Sequence, residues 1–356
     1  MRIAVVGLGL IGGSIALAAR ERLAVAVAGY DRDPRALSAA VSRGAIDVAA
    51  DSVAGALAGA EAAFVAVPVS GLAEAVASVL QSAPSSCVVS DVGSTKRAIV
   101  AANVDQRFIG GHPLAGTETS GIAHARADLF EGAVWYLTPT EGTSGVRFQA
   151  LHRIISGFGA RPTAIDADTH DTVLALVSHL PHVLANVLVA QAAAALREGG
   201  ENLPATGPSF RDATRVAGSS STIWTDIYLE NRDALTGQID DTVARLQRVS
   251  ELLRSADRHA VTEWNEHAAA QRRSLLEAQL AGGELHELRV AVPNRPGVVA
   301  ELALALGRAG VNITDMALYP APDMSEGVVA LWIAGAPDAD RAQRTVEALG
   351  MVVFRP

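Results

Sequence analysis

The chain has 356 residues, more than a single hydrophobic core usually supports, so two or three domains are expected. Hydrophobic residues make up 49% of it, but charges interrupt them, no unbroken apolar run of roughly 18 to 20 residues occurs, and no membrane span is expected. A formal net charge of −9 without a basic stripe argues against nucleic acid as a partner.

The N-terminus and the cysteine content indicate a cytoplasmic protein. Met1 and Arg2 lead directly into an apolar run, without the spacing or cleavage site of a signal peptide. Cys87 is the only cysteine, which excludes an intrachain disulfide, and its apolar neighbours favour a buried thiol over a nucleophile.

Residues 1–165 alternate short apolar runs with helical patterns. Strands are predicted at residues 3–6, 25–30, 62–67, 87–90, 108–110 and 134–137. This alternation is typical of a parallel sheet with crossover helices. It predicts an α/β Rossmann-type, dinucleotide-binding domain.

Residues 166–282 have no convincing strand pattern and predict an all-α domain. Apolar residues recur there at helical spacing: Leu235, Ile239, Val243, Leu246, Val249 and Leu253. A Gly/Pro/Ser-rich loop is expected at residues 199–208. Long helices with apolar stripes would otherwise expose those stripes, so a homodimer is expected.

Residues 284–356 predict a small α+β module that follows a Gly282-Gly283 break. Apolar residues alternate at 288–292, a turn and helix cap follow at 294–297, and the helix runs to Ala309. Strands at 311–318 and 328–333, a helix at 339–349 and a strand at 351–354 complete a βαββαβ order. This order is the ferredoxin-like split motif.

A glycine-rich turn, residues 7–12 (Gly-Leu-Gly-Leu-Ile-Gly), follows the first strand and opens a helix. Such glycines let a pyrophosphate reach the helix N-terminus, and Asp31 at the end of the second strand is placed to bind a ribose hydroxyl. The charge of Asp31 favours NAD over NADP. Arg32 leaves the alternative that an arginine pairs with a 2′-phosphate.

Two further strand ends point to the carboxyl edge of the sheet, where open α/β folds bind ligands. They are Val67-Pro68 and residues 91–96 (Asp-Val-Gly-Ser-Thr-Lys). Ser94 is placed to contact nicotinamide, substrate or a nearby histidine, or to cap a helix. Lys96 is expected at the surface or at a helix N-terminus rather than as a catalytic amine.

His112 is the candidate proton acceptor. It lies in residues 110–118 (Gly-Gly-His-Pro-Leu-Ala-Gly-Thr-Glu), where the glycines would let the backbone approach a ligand closely. The alternative is a solvent-facing loop histidine, since histidine has several structural uses.

The helical region contains a second group of candidate residues. His179 and His182 flank a proline, without the cysteines or carboxylates that a metal site needs, so no metal is expected. Arg211 and Arg215 are spaced i, i+4 and suit a dicarboxylate, although a surface network with Asp212 is the alternative. Trp224 and Asp226 indicate packing more often than ligand contact.

Together these motifs resemble prephenate dehydrogenases, with arogenate dehydrogenases as close relatives. The resemblance covers roughly residues 1–280 and rests on five ordered motifs, at residues 6–14, 91–96, 111–118, 178–182 and 210–215. Residues 292–298 and 310–313 resemble an ACT domain, a small module that binds amino acids and regulates some members of the family.

The resemblance implies oxidative decarboxylation of prephenate to 4-hydroxyphenylpyruvate with reduction of NAD. It assigns His112 as the base, Ser94 as the residue that orients His112 and the nicotinamide, and Arg215 as the partner of the ring carboxylate. It places His182, Thr117, Glu118 and Arg211 at the substrate. The residues assigned to the cofactor are Gly7, Gly9, Leu10, Ile11, Gly12, Asp31, Arg32, Val67 and Pro68.

The ACT resemblance implies feedback by an aromatic amino acid, with tyrosine as the first candidate in this family, bound near Asn294, Asn312 or the turn at residues 308–310. The alternatives are that the module serves only as a dimerisation surface, and that Asn294 is a helix cap.

Three other functions are weighed. An arogenate dehydrogenase would use the same motifs. A β-hydroxyacid dehydrogenase would need a catalytic lysine in the helical region, and residues 168–281 contain none. A nonenzymatic amino-acid sensor is disfavoured by the joint presence of His112, Ser94 and Arg215.

Overall fold

The computed structural model describes residues 1–116, 119–198, 207–279, 284–293, 298, 302, 305–306, 309, 311, 313–321 and 326–356. The chain divides into two compact units, Met1–Arg245 and Leu246–Pro356. The first contains a Rossmann-like domain and most of a helical domain, as predicted. The second contains a small antiparallel sheet.

The N-terminal domain is built on an eight-stranded sheet with the order β3-β2-β1-β4-β5-β6-β7-β8. The strands are β1 Arg2–Val6, β2 Ala26–Tyr30, β3 Val48–Ala49, β4 Ala62–Val65, β5 Val88–Asp91, β6 Phe108–Pro113, β7 Val134–Thr138 and β8 Arg161–Ala164. The helices are α1 Leu10–Leu23, α2 Pro34–Ser42, α3 Val53–Leu57, α4 Leu72–Ser82, α5 Arg97–Ala101 and α6 Gly145–Gly157.

The sheet is not wholly parallel, which corrects the prediction. Strand β7 runs antiparallel to β6, whereas the other pairs are parallel. Among the described residues between the two strands, the one assigned element is a short 3-10 turn, Ile122–His124. A parallel connection needs a crossover of a dozen residues or more, usually helical, so this link allows β7 to return antiparallel. Strands β3 and β8 were not predicted.

Alternate residues of the central strands pack into two cores, one on each face of the sheet. Ile3 and Val5 of β1 contribute to one core, and Ala4 and Val6 to the other. Burial on both faces explains why these strands read as continuous apolar runs. Cys87 is a free, buried thiol, and burial raises the pKa of that thiol to about 11, which suits an inert side chain.

The helical domain contains only helices and turns among its described residues, as predicted. They are α7 Ala167–Leu174, α8 Leu180–Glu198, α9 Pro208–Thr214, α10 Ser221–Glu230, α11 Arg232–Ser255 and α12 Arg258–Gln279. One helical stretch, Ala167–Ala195, is long and apolar enough to cross a membrane by length and composition alone. That is weak support for a span, because this stretch also carries the buried polar residues His170, Asp171 and His179.

A wide turn joins α7 to α8 where a proline-interrupted turn was expected. Residues Ala175–His179 form a π-helical turn, and the backbone N–H of Leu180 donates to the carbonyl of Ala175. Pro181 follows and has no N–H to donate to the preceding turn. The helix nevertheless continues past Pro181 into α8. His179, the last residue of the π-helical turn, is buried inside the domain, 1% exposed.

The second unit contains a four-stranded antiparallel sheet with the order β10-β11-β9-β12. Its elements are β9 Leu285–Pro293, β10 Ile313–Pro320, β11 Glu326–Ala334, α13 Ala336–Ala348 and β12 Val352–Phe354. Buried residues of β9, β11 and α13 form its core, to which Leu302 and Leu306 also contribute. From α12, the guanidinium of Arg272 lies 5.6 Å from the centre of the Trp332 ring.

Candidate active site

A cavity of ≈ 580 Å³ lies between the sheet edge and the helices of the first unit. His112 of β6 and Ser94 of the loop after β5 line one side of it. Arg215, Trp224 and His179 line it from the helical domain. The cavity therefore brings the predicted base together with the predicted cation for the substrate.

His112 is 8% exposed and lies in β6 opposite Tyr136 of β7. Its Nδ1 lies 2.9 Å from Nε2 of His170, a residue of α7. Burial, followed by the neighbouring His170, Lys96 and His179, holds the pKa of His112 well below its ordinary value. The imidazole is therefore neutral at physiological pH, the state that a proton acceptor needs.

Behind His112, the His170-Asp171 pair is buried and was missed by the sequence analysis. Nδ1 of His170 lies 2.8 Å from Oδ1 of Asp171, and both residues are at most 1% exposed. The Asp171 carboxylate also accepts the backbone N–H groups of Lys96 (2.7 Å) and Arg97 (2.8 Å), at the start of α5. Burial raises the pKa of Asp171, but hydrogen bonds from His170, Arg97 and Lys96 outweigh it and leave the pKa below its ordinary value.

The loop that carries Ser94 is closed by a buried ion pair. Lys96 Nζ contacts Oδ2 of Asp91, and both side chains are fully buried. Asp91 also accepts the backbone N–H groups of Gly93 (2.8 Å) and Gly111 (3.0 Å), which ties the loop to β6 beside His112. Lys96 is indeed at the start of α5, but its expected surface position is wrong, because Asp91 provides a buried counter-ion.

The glycines before His112 serve packing rather than ligand approach, which corrects the sequence interpretation. A Cβ atom on Gly110 would collide with Thr138, and one on Gly111 would collide with the Asp91 backbone and Ser90. Strand β6 therefore needs glycine to lie close to its neighbours. At Gly116, by contrast, a Cβ atom would meet open space.

A second cleft, of ≈ 630 Å³, lies at the glycine-rich turn. Its lining includes Gly7, Gly9, Asp31, Arg32, Val67 and Pro68. Gly7 has a φ of +95° and lies too close to Ala66 to accept a Cβ atom, and Gly12 lies too close to Gly7. A Cβ atom on Gly9 would meet nothing, so the protein leaves room there for a pyrophosphate at the start of α1. This arrangement fits a dinucleotide.

Comparisons with known proteins give matches to both the Rossmann-like domain and the helical domain. The nucleotide-binding domain of prephenate dehydrogenase matches residues 15–164, and its dimerization domain matches residues 166–266. A prephenate dehydrogenase of Bacillus subtilis (strain 168) is 31% identical, over 96% of this chain and 94% of its own length. The chain belongs to the prephenate dehydrogenase family.

Solved structures of the prephenate dehydrogenase family have the same fold. A. aeolicus prephenate dehydrogenase, in complex with hydroxyphenyl propionate and NAD+, matches with a TM-score of 0.70 at 30% identity, covering 77% of this chain and 98% of that one. Synechocystis arogenate dehydrogenase matches with a TM-score of 0.68 at 28% identity, covering 77% and 100%.

Not every residue that the prephenate dehydrogenase motifs assign lies at the cavity. Helix α9 ends at Thr214 and Arg215 begins a 3-10 turn, so the arginine pair is divided between two elements, and only Arg215 lines the cavity. His182 lies behind the wall, where its ring stacks on Trp224 at 3.6 Å and its Nδ1 contacts the Tyr228 hydroxyl. Burial lowers the pKa of His182.

Four of the assigned residues lie outside the described part of the chain: Thr117, Glu118, Asn294 and Asn312. Leu10 and Ile11 begin α1 next to the cofactor cleft without lining it. Among the residues that were missed, the His-Asp dipeptide just after a helix N-cap was the available signal for His170 and Asp171. Nothing in the sequence placed it behind a strand 58 residues away.

Proposed function

We propose that this protein catalyses the NAD-dependent oxidative decarboxylation of prephenate to 4-hydroxyphenylpyruvate, in tyrosine biosynthesis in the cytoplasm. One observation carries the proposal. A buried, neutral His112 faces the same cavity as Arg215, in a chain whose glycine-rich turn lines a cleft that fits a dinucleotide.

Each residue has one task in this reaction. His112 accepts the proton of the ring C4 hydroxyl while the hydride leaves C4, and returns it to the phenolic oxygen of the product. NAD, when bound, takes up the hydride. Arg215 pairs with a substrate carboxylate. Ser94, on the loop closed by Asp91 and Lys96, orients the histidine and the nicotinamide; the support is that it lines the same cavity as His112. Loss of CO₂ supplies the electron pair that makes the ring aromatic.

The direct experiment is formation of NADH by the purified chain with prephenate, compared with the His112→Asn variant. We expect kcat to fall on the order of 100-fold or more in the variant while KM changes little, because asparagine keeps polarity but cannot accept the proton. An inactive wild-type chain would overturn the proposed reaction. An unchanged kcat in the variant would remove His112 from it.

Prephenate is proposed over arogenate because of the charge of the cavity. Arogenate carries an ammonium group where prephenate carries a ketone, and a buried ammonium needs an acidic partner. The described residues that line the cavity include no aspartate or glutamate. A higher kcat/KM for arogenate than for prephenate would reverse this choice and would point to Glu118 as the partner of the ammonium group.

NAD is expected to be preferred over NADP because Asp31 lines the cofactor cleft. Its carboxylate accepts the backbone N–H groups of Leu8 (2.6 Å) and Asp33 (2.8 Å), which fixes a negative charge beside the ribose position. A 2′-phosphate would meet that charge, although Arg32 also lines the cleft. A kcat/KM ratio in favour of NADP would contradict the preference.

The C-terminal sheet is proposed to be an ACT domain that binds tyrosine and inhibits the enzyme. The support is its sheet order, in which β11 and β12 flank β9 and β10 lies at the edge, as in a βαββαβ ferredoxin-like module. The test is NADH formation and thermal unfolding with increasing tyrosine. Neither inhibition nor a shift in Tm would contradict the regulatory role.

A further inference from the structure

We propose that Asp171 and His170 are positioning residues, which together hold His112 in the tautomer that carries its proton on Nδ1 and leaves Nε2 free as the base. This inference deepens the proposed function and rests on it. It concerns which nitrogen of His112 faces the substrate and what fixes that choice.

The hydrogen bonds that link Asp171, His170 and His112 have a direction, because the Asp171 carboxylate at one end can only accept. Asp171 accepts two backbone N–H groups, from Lys96 and Arg97, and an ionised carboxylate has no proton to give. The short contact between its Oδ1 and His170 Nδ1, at 2.8 Å, must therefore be donated by His170. With this proton on Nδ1 as its only ring proton, His170 has a lone pair on Nε2.

That lone pair sets the tautomer of His112. Nε2 of His170 lies 2.9 Å from Nδ1 of His112, and a lone pair on the first nitrogen makes the second one the donor across this contact. Its own Nε2 is then unprotonated. Because His112 also lines the cavity, Nε2 is the nitrogen that remains for the C4 hydroxyl of the substrate.

The same carboxylate positions the other side of the site. Its bonds to Lys96 and Arg97 fix the start of α5, directly after the loop that carries Ser94. The side-chain amide of Asn231 donates to the Asp171 carbonyl oxygen (2.7 Å) and lies 3.2 Å from His179 Nδ1. Asp171 thus connects the base, the Ser94 loop and a histidine of the cavity wall.

The tautomer can be measured without substrate or cofactor. In the full chain with ¹⁵N-labelled histidine, the ring nitrogen shifts distinguish Nδ1–H from Nε2–H imidazole, and the His112→Asn variant identifies the signals of His112. We expect His112 to be Nδ1–H in the wild type at neutral pH. An Nε2–H form in the wild type would overturn the inference.

Two variants test the consequence for catalysis. Asp171→Asn removes the charge and replaces one of the two oxygens that accept from His170, Lys96 and Arg97 by an NH2 group, which cannot accept a hydrogen bond. His170→Phe keeps a ring of similar size without nitrogens. For each we expect kcat to fall on the order of 10- to 100-fold with KM nearly unchanged, as for other side chains that orient a ring from behind. We also expect His112 to lose the pure Nδ1–H signal.

The matched control is Asp168→Asn. Asp168 lies on the same helix and pairs with the Arg97 guanidinium, but its side chain is 78% exposed, whereas Asp171 is buried. We expect wild-type kinetics and an unchanged His112 signal in this variant.

If Asp171→Asn fails to fold, the kinetics of His170→Phe are the test. A wild-type kcat in His170→Phe overturns the positioning role and leaves the proposed function intact. If the wild-type protein has His112 in the Nδ1–H form but is inactive with prephenate, only the proposed reaction is refuted.

Discussion

Arg215 is the residue that most directly tests how substrate is held. We expect Arg215→Ala to raise KM for prephenate with a smaller effect on kcat, because it leaves a buried substrate carboxylate without its cation. A contact of this kind contributes about 2 to 4 kcal/mol, which corresponds to roughly 30- to 1000-fold in KM. The control is Arg211→Ala, four residues earlier in α9 and outside the cavity lining. Equal effects in steady-state kinetics would contradict the assignment of the substrate site to Arg215 alone.

Lys96 is the only lysine in the chain and is fully buried beside Asp91. Burial lowers the pKa of Lys96, and the Asp91 carboxylate opposes that fall. Removal of one partner from a buried pair typically costs about 3 to 5 kcal/mol, so Lys96→Met should lower the free energy of unfolding in urea by that amount. The combined Lys96→Met and Asp91→Asn variant should recover part of the loss.

The comparison variant for Lys96 is Arg97→Met, which removes the next cation along the chain. Arg97 and Asp168 form an exposed pair, with side chains 42% and 78% exposed, so the expected cost is below about 1 kcal/mol. If both variants cost the same, the buried pair does not stabilise the Ser94 loop.

For individual residues, the sequence predicted the functional positions of those that belong to local motifs. Ser94 was found because it follows a strand at the carboxyl edge of the sheet, and His112 because it lies in a glycine-rich segment. The structure brings both to one cavity. The roles of Asp171 and Lys96 could not be found in this way, because each depends on burial and on a partner from another part of the fold. Lys96 is an example: a lysine side chain is expected to be exposed, and it is buried here because Asp91 provides a counter-ion.

At the scale of elements, strand β6 shows how glycine places the base. We expect Gly111→Ala to destabilise the protein by about 1 to 3 kcal/mol, because its Cβ atom would overlap the Asp91 backbone and Ser90. The same shift should lower kcat, since His112 is the next residue. Gly116→Ala, where a Cβ atom meets open space, should leave urea unfolding unchanged. Equal stability of the two variants would contradict the packing role of Gly111.

Elements with strong periodicity were predicted well, and irregular ones were not. The buried strands and long helices follow from hydrophobic spacing, which reports burial directly. Strand β3 has two residues and β8 is mostly exposed, so neither has an apolar run to detect. The reversal of β7 and the π-turn before Pro181 depend on hydrogen-bond partners that spacing does not encode.

At the scale of the whole molecule, buried neutral histidines make stability depend on pH. Burial lowers the pKa of His179 to about 4 from its ordinary 6.5 and that of His112 well below 6.5. The unfolded chain therefore binds protons that the folded chain does not, so stability is complete above pH 6.5 and is lost as the pH falls towards 4. His179 alone accounts for about 3 kcal/mol of that loss.

Urea unfolding at neutral and mildly acidic pH measures this loss. His179→Gln should show a weaker pH dependence than the wild type, because it removes one histidine that is buried in its neutral form. The matched control is His259→Gln, since His259 is 84% exposed and its replacement should leave the dependence unchanged. The same pH dependence in all three proteins would contradict the account.

The homodimer is proposed from the helical domain, whose family counterpart is a dimerization domain. Helix α8 exposes Val187 (52%), Leu188 (41%) and Val189 (39%), an apolar group that a second copy would cover. We expect light scattering to give the mass of two chains for the wild type and of one 36.8 kDa chain for Leu188→Asp. Val104→Asp, at a 95% exposed site outside helices and strands, should remain dimeric. A monomeric wild type would refute the homodimer, and a dimeric Leu188→Asp would move the interface away from this part of α8.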